Sequence, residues 1–578
     1  MKKLIIYIVA ILFMASGCTK DFLDINTDPN NPTDISVNQL LPSAERGLAA
    51  TLGYTNDARG ARGISTVLAV YTHQLTTRET PDQYGATSSE FNINGSWNGL
   101  YSPQASQGSP DYVGCLQNLE ILISKAEEDG NLRYAGIGKI LKAYAFSILV
   151  DLYGDVPFSE ANKFATEAKI LYPKFDKGEE IYPQLFTMLN AGISDITNTG
   201  AANTLVPGTD DLFYGGSVAK WEKAANTIKL KLLNQIRLTR DVSTEVKALL
   251  ASGKLFATTT DGLMFNYGTS ISPDDRNPAY SDYPAGQKGN YISPWFWSIM
   301  NGYNSSVLTG IKDPRIPFYF YKQLTNTTGI SGTAQNATEY RDGGFVSIYF
   351  GSVGRNRDWS QDATMTVLGV YPAGGKYDDQ SGSKINATSG TGAAPLKLLT
   401  YADRLYIEAE LIHAGLATGD VKAVFGKAVT ESIALVDYVS GRAAPTAPKL
   451  AGTAAATDYI TKVNAAFAAT TPEKQLEMII TEKWITSFGF SVDQYTDYRR
   501  TGYPILFNPK DPDMAPGGMV QPPVKGDPTI SGDQAPVPVQ LSRDFPRSLP
   551  WPLEELQVNS SAPAQKVPST YKVFWDKK

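Results

Sequence analysis

Residues 134–158 read YAGIGKILKAYAFSILVDLYGDVPF, and within them Ile137, Leu141, Tyr144, Ile148 and Leu152 recur three or four places apart. That spacing puts all five side chains on one stripe of an α-helix. Gly154, followed by Pro157, predicts where the helix stops. Similar stripes run through Ile181–Ile196, Trp221–Leu238, Leu405–His413 and Leu476–Phe488. They cluster early and late in the chain, which predicts a mainly α fold of stacked helix pairs contributed by both halves. A strict 34-residue repeat is not visible, so the stacking is irregular.

Between the two clusters, roughly residues 255–400 form a long insertion rich in Gly, Ser, Thr, Asn and aromatics with little helical period. It contains Asp274-Asp275-Arg276-Asn277-Pro278, Tyr291 to Trp297, and Gly343 to Arg357. Alternation from Phe345 to Phe350 suggests a strand in a small sheet, so β structure is minor. Residues 504–552 hold 12 of the 35 prolines. This stretch cannot be a regular helix or a central strand, and is read as a tail wrapping the scaffold.

The chain has 578 residues, 52 Lys+Arg against 58 Asp+Glu, and a formal net charge of −6. Its 42% hydrophobic content argues against disorder, and the weak charge argues against nucleic-acid binding by phosphate neutralisation. Only two histidines, His73 and His413, leave little for zinc hydrolysis or imidazole acid/base chemistry.

Met1-Lys2-Lys3 precedes an apolar run from Leu4 to Met14 and then Ala15-Ser16-Gly17-Cys18. Residues 1–17 read as a signal peptide, too short for a stable span. Cys18 after small residues resembles a bacterial lipobox, with Ala15 where Leu is more usual. Cleavage before Cys18 would remove Lys2 and Lys3, taking the net charge from −6 to −8, and acylation of Cys18 would leave Cys115 without a disulfide partner. Residues 18–578 are read as one domain anchored to a membrane by lipid; the outer membrane follows from the family resemblance given below. Thr19-Lys20-Asp21 resembles the export signal of Bacteroidota lipoproteins, so the protein is expected to face the cell exterior.

Chemical motifs are sparse. Asp24, Asn26 and Asp28 alternate as in a calcium loop, but Pro29 replaces the loop glycine and Ile35 the closing glutamate, so a capping turn is the preferred reading and no metal is assigned. The carboxylates of Glu408-Ala409-Glu410 and Glu179-Glu180 do not face one another on a helix. They are read as solvated faces, with Arg404 and Glu408 an ordinary i,i+4 pair. No G-x-S-x-G motif or P-loop is present, so no catalytic residue and no cofactor is assigned.

Aromatic residues are the remaining signal: 31 Tyr, 23 Phe and 8 Trp. Trp221 and Trp484 sit in helical stripes, and Trp551 between two prolines is read as docking the tail. Those in polar loops are Tyr84, Phe91, Trp97 with Asn98, Tyr291, Trp295, Trp297 and Trp359. A flat ring packs on the C–H face of a sugar while amides, carboxylates and guanidinium groups bond its hydroxyls, which makes these residues the candidate ligand site. Peptides would suit them too.

The order of landmarks resembles the SusD/RagB family of nutrient-binding lipoproteins, in particular its SusD-like 2 branch. They are Cys18 to Asp24 with Asn26 to Thr33; Lys142-Ala143-Tyr144 through Asp151 to Phe158; Tyr172 to Tyr182; and Lys220-Trp221 to Asn226. Asp313-Pro314-Arg315, Arg404 through Glu410, Lys483-Trp484, Arg499 to Pro504, and Arg547 to Trp551 continue the series. The resemblance implies irregular tetratricopeptide-like helix pairs with loop-rich insertions. It also implies a partner, a SusC-like TonB-dependent transporter, over which the lipoprotein sits as a hinged lid, binding oligosaccharide and catalysing nothing. An oligopeptide-binding lid and a surface glycosidase are the alternatives; an outer-membrane barrel is rejected by the helical stripes.

Overall fold

The computed structural model describes residues 35–54, 63–77, 84, 90–102, 114–163, 168–285, 288–326, 339–350, 363–508 and 543–578. Residues 1–17, read above as a signal peptide, and Cys18, Asp24, Asn26, Asp28 and Trp359 lie outside the described residues. The expected class holds: helices dominate, and the strands are short antiparallel pairs.

The first half supplies α1 (Val37–Leu52), α2 (Ile64–Tyr71), α3 (Glu90–Tyr101), α4 (Cys115–Glu128), α5 (Leu132–Tyr153), α6 (Gly178–Thr197), α7 (Val218–Ile236) and α8 (Ser243–Ala251). Helix α5, which carries the stripe from Ile137 to Leu152, packs against α4, α6 and α7. It is buried on nearly every side, more than its single stripe suggested, because it is a central helix of the pile. Its crossing with α6 depends on two glycines. A Cβ at Gly136 would lie 2.6 Å from the Gly192 carbonyl oxygen, and one at Gly192 would lie 2.9 Å from that of Gly136. Cys115 is buried and unpaired at the start of α4, and burial pushes its thiol up to about 12.

The second half supplies α11 (Tyr401–His413), α12 (Val421–Ala443), α13 (Ala454–Ala468), α14 (Pro472–Thr486) and α15 (Val492–Thr501). Their ends follow local chemistry. Thr400 and Asp403 form a capping box on α11, Thr471 caps α14 with Pro472 in its first turn, and Gly502, at φ +84°, ends α15. Arg404 and Glu408 pair at 2.8 Å as expected.

Glu410 overturns the reading of a solvated face. It is buried between α11, α7 and α15, where Arg500 contacts it at 2.7 Å and Arg237 at 2.8 Å. Burial alone would raise its pKa, but Arg500 and then Arg237 hold it down at about 2. Arg500 also bonds Asp497 and Gln235, and Lys483 pairs with Asp497 at 2.8 Å. A second buried centre joins Arg315 to Asp313, Glu482, Tyr459 and Ser432.

The loop-rich segment between the halves holds α9 (Pro294–Met300), α10 (Ile316–Tyr319) and most of the strands. Strand β4 (Leu263–Phe265) pairs with β10 (Leu396–Leu399), so the insertion begins and ends at one place on the scaffold. Within it β6 (Phe320–Tyr321) pairs with β9 (Val367–Leu368), and β7 (Glu339–Asp342) forms a hairpin with β8 (Phe345–Ile348), the strand expected there. Strand β5 (Asn290–Ile292) pairs with β1 (Leu75–Thr77), tying the insertion to the end of α2.

Residues 543–578 wrap the C-terminal end of α5. The Leu549 N–H donates to the Leu152 carbonyl at 2.8 Å, the Trp551 indole to the Asp155 carbonyl at 2.9 Å, and the Trp575 indole to Asp151 Oδ1 at 2.8 Å. Trp551 thus docks the tail, as its place between prolines suggested.

Candidate functional site

The pairing of β1 with β5 sets Tyr291 opposite Thr76. Ser293 then caps α9, its hydroxyl accepting the Trp295 N–H, and Pro294 fits the first turn without wasting a donor. Trp295 and Trp297, two residues apart, point about 200° from each other around the axis. Trp295 donates its indole N–H to the Ile505 carbonyl at 3.0 Å and packs on Phe507 at 5.8 Å. Trp297 stacks on Phe345 at 4.2 Å and donates to Asp342 Oδ2 at 2.8 Å. The β7–β8 turn needs Gly344, whose φ is +93° and whose Cβ would lie 2.3 Å from the Leu324 carbonyl oxygen.

A continuous set of rings connects these indoles. Phe345 contacts Tyr340 at 5.9 Å, Tyr340 contacts Tyr349 at 5.8 Å, and Tyr349 reaches Phe507 at 6.5 Å. Phe507 lies 6.4 Å from His73, which stacks on Phe350 at 4.0 Å and bonds the Tyr84 hydroxyl through Nε2 at 3.0 Å. Burial drives the His73 pKa down to about 3, so the imidazole is a neutral ring of this cluster.

The structure therefore brings Tyr84, Trp295 and Trp297 into one aromatic cluster. Tyr291 lies beside it, buried with Val346, Ile348 and Met365. Trp97 makes a different set of contacts, with Tyr101, Tyr153 and Phe175, and Asn98 accompanies it on α3. Phe91 falls in α3 but outside the described side chains. Tyr291, Trp97, Trp295 and Trp297 are all buried; Trp297 stacks on Phe345, and Trp295 meets Phe507 at a tilt.

Next to this cluster, Tyr303 is 46% exposed, with the Asp342 carboxylate that Trp297 holds beside its hydroxyl. Partial burial, then Asp342, raises the phenol pKa, so it is a neutral donor. An exposed ring beside a carboxylate can pack on an apolar face and accept hydroxyl hydrogens. The sequence held a usable sign: Asn301-Gly302-Tyr303-Asn304 is an aromatic in a polar turn, six places after Trp297. Among the described residues no group of His, Cys, Asp and Glu could hold a metal ion, and no helix is long and apolar enough to cross a membrane.

Residues 29–522 match the profile of the SusD-like 2 family, described as starch-binding and associating with the outer membrane. The chain belongs to this family. Solved SusD-like structures share its fold at low sequence identity. A chitin-binding protein is 20% identical with a TM-score of 0.62, over 94% of this chain and 100% of its own. A SusD homologue from Bacteroides fragilis is 17% identical with a TM-score of 0.63, over 94% and 100%. A SusD/RagB protein from Bacteroides thetaiotaomicron is 17% identical with a TM-score of 0.62, over 94% and 99%. No curated protein matches the chain by sequence.

Many landmarks of the SusD-like resemblance are scaffold positions in the structure. Asp151 takes hydrogen bonds from Tyr182 and Trp575, Arg499 donates to the Asp151 carbonyl, and Arg315 and Arg500 centre the buried ion networks. Their contacts are with other parts of the scaffold.

Proposed function

We propose that this SusD-like protein is a surface lipoprotein, anchored through Cys18, that binds oligosaccharides and passes them to a SusC-like TonB-dependent transporter as a hinged lid. The observation that carries this reading is the family match across residues 29–522, with its description as starch-binding at the outer membrane. The chitin-binding neighbour supports a carbohydrate ligand. The protein acts by binding, and transport energy enters through the barrel. Tyr303 and Asp342 are the proposed first contacts of the aromatic cluster. Trp297 holds Asp342 in place through its indole N–H, while Trp295 and Tyr84 shape the surrounding surface.

Calorimetric titration with malto-, chito- and other oligosaccharides, and with peptides, tests the reading. Saturable sugar binding, weakened about tenfold or about 1.4 kcal/mol by Tyr303→Ala or Asp342→Asn, is expected. Unchanged affinity in both variants would remove the site from this cluster. Peptide binding without sugar binding would replace the glycan reading with the peptide-importing lid. Recovery of the protein from mild detergent without a barrel partner would refute the lid.

A further inference from the structure

A cleft of about 220 Å³ opens between α1 and the loop that follows β4, away from the residues of the aromatic cluster. Arg46 and Ala50, one turn apart on α1, form one wall; Phe265, Asn266, Tyr267 and the hairpin through Asp275 and Arg276 form the other. The hairpin is held by its own hydrogen bonds. Gly268 N–H donates to the Asp275 carbonyl at 2.9 Å, and Ser270 N–H donates to Asp275 Oδ1 at 2.7 Å. A Cβ at residue 268 would lie 2.1 Å from Asp275 Oδ2, so glycine is what lets this carboxylate rest against the cleft wall.

Arg276 is fixed as firmly. Its Nε and Nη2 grip Asp274 at 2.9 and 2.6 Å, and its guanidinium lies 5.1 Å over the Tyr280 ring. Nη1 makes no hydrogen bond among the described residues. Asn266 Oδ1 is a buried acceptor with no donor, a group that folding leaves unpaired only at a cost. Phe265 and Tyr267 meet edge to face at 5.0 Å and give the cleft an apolar wall.

These features select a ligand class. Two arginines and two aspartates line the cleft, so their charges cancel and an ionic ligand gains nothing from net charge. What is left over is a mixed pair: the acceptor Asp275 Oδ2 and the donor Arg276 Nη1. A hydroxyl both donates and accepts, so a polyhydroxylated ring satisfies both while its C–H face lies on the aromatic wall. The volume is below the roughly 300–1,000 Å³ of sites that enclose drug-sized ligands, which limits the occupant to about one ring.

We infer that this cleft is a second carbohydrate site, taking one neutral sugar ring, either a free monosaccharide or the terminal unit of an oligosaccharide. The inference rests on the glycan-binding reading and adds a place and a size to it.

Saturation-transfer NMR on the mature full chain in detergent tests it, with glucose, N-acetylglucosamine and maltohexaose as probes. Transfer to sugar ring protons is expected in the wild type and, in a Tyr303→Ala background that silences the aromatic-cluster site, is reduced at least fivefold by Arg276→Gln. Ala50→Met fills the void from the opposite wall and is expected to do the same, with circular dichroism confirming that both variants fold. Loss of signal from the monosaccharides identifies a free-sugar site. Loss confined to one end of maltohexaose identifies a chain-end site. Sugar signals left unchanged by both variants in that background overturn the cleft while the glycan reading stands. No signal from any sugar in the wild type, with peptide binding instead, overturns both.

Discussion

The helical scaffold spends its burial on charge, whereas the loop-rich insertion spends it on aromatic rings. In the scaffold, Arg500, Arg237, Glu410, Asp497 and Lys483 meet between helices far apart in sequence, and Glu482 takes a buried cation that the insertion sends in, Arg315 beside its own Asp313. In the insertion, Trp297 stacks on Phe345, Trp295 packs on Phe507, and the indole N–H groups find a carboxylate or a carbonyl. Buried ion pairs are strongly directional and penalise any misplaced helix, because a stranded charge is costly. Ring contacts are broader and tolerate exchange among similar shapes. A scaffold of the first kind can stay constant while an insertion of the second kind changes what it contacts.

The largest effect expected is that of Arg500→Met. It removes the buried cation between Glu410 and Asp497 and is expected to cost about 3–5 kcal/mol, read as a lower denaturant midpoint. The next effect is on pH dependence. His73 titrates near 3 in the fold and near 6.5 when unfolded, so the unfolded chain binds the extra proton between those values. Stability is then full above about pH 6.5 and falls by up to about 1.4 kcal/mol per pH unit toward pH 3. His73→Gln should flatten that acid limb in thermal melts. The scaffold contributes an opposite limb through Glu45, whose pKa burial and the neighbouring Asp211 raise well above the carboxylate range. Its folded state favours the proton, so stability falls as pH rises above about 4.5, and Glu45→Gln should melt higher at pH 8 than the parent.

Smaller effects sharpen the comparison. Trp575→Phe keeps the ring and deletes the N–H to Asp151, for an expected loss of about 1–3 kcal/mol. Trp297→Phe makes the same deletion at half-buried Asp342 and should cost about 1 kcal/mol, with a larger effect on ligand affinity than on the melting temperature. Lys462→Ala removes an exposed i,i+4 pair with Asp458 and should cost at most about 0.5 kcal/mol. A Trp297 variant that destabilises the protein as much as Arg500→Met would erase the distinction between the two regions.

Periodicity by itself determined that α5, α6, α7, α11 and α14 are helices, because an apolar stripe and its capping residues are local facts of the chain. Composition determined that residues 255–400 carry little regular helix, and the position of Trp551 between prolines determined that the tail docks. Tertiary structure alone decided that Glu410 is buried: its partners Arg237 and Arg500 lie 173 and 90 positions away, and no spacing within one helix shows them. It alone decided that the α9 tryptophans turn inward, because Phe345 and Phe507 reach them from other segments. The cleft was equally invisible, since α1 and the hairpin at Arg276 are separated by more than two hundred residues. Local periodicity reports which way a side chain faces on its own element; what it faces is set by which elements pack together.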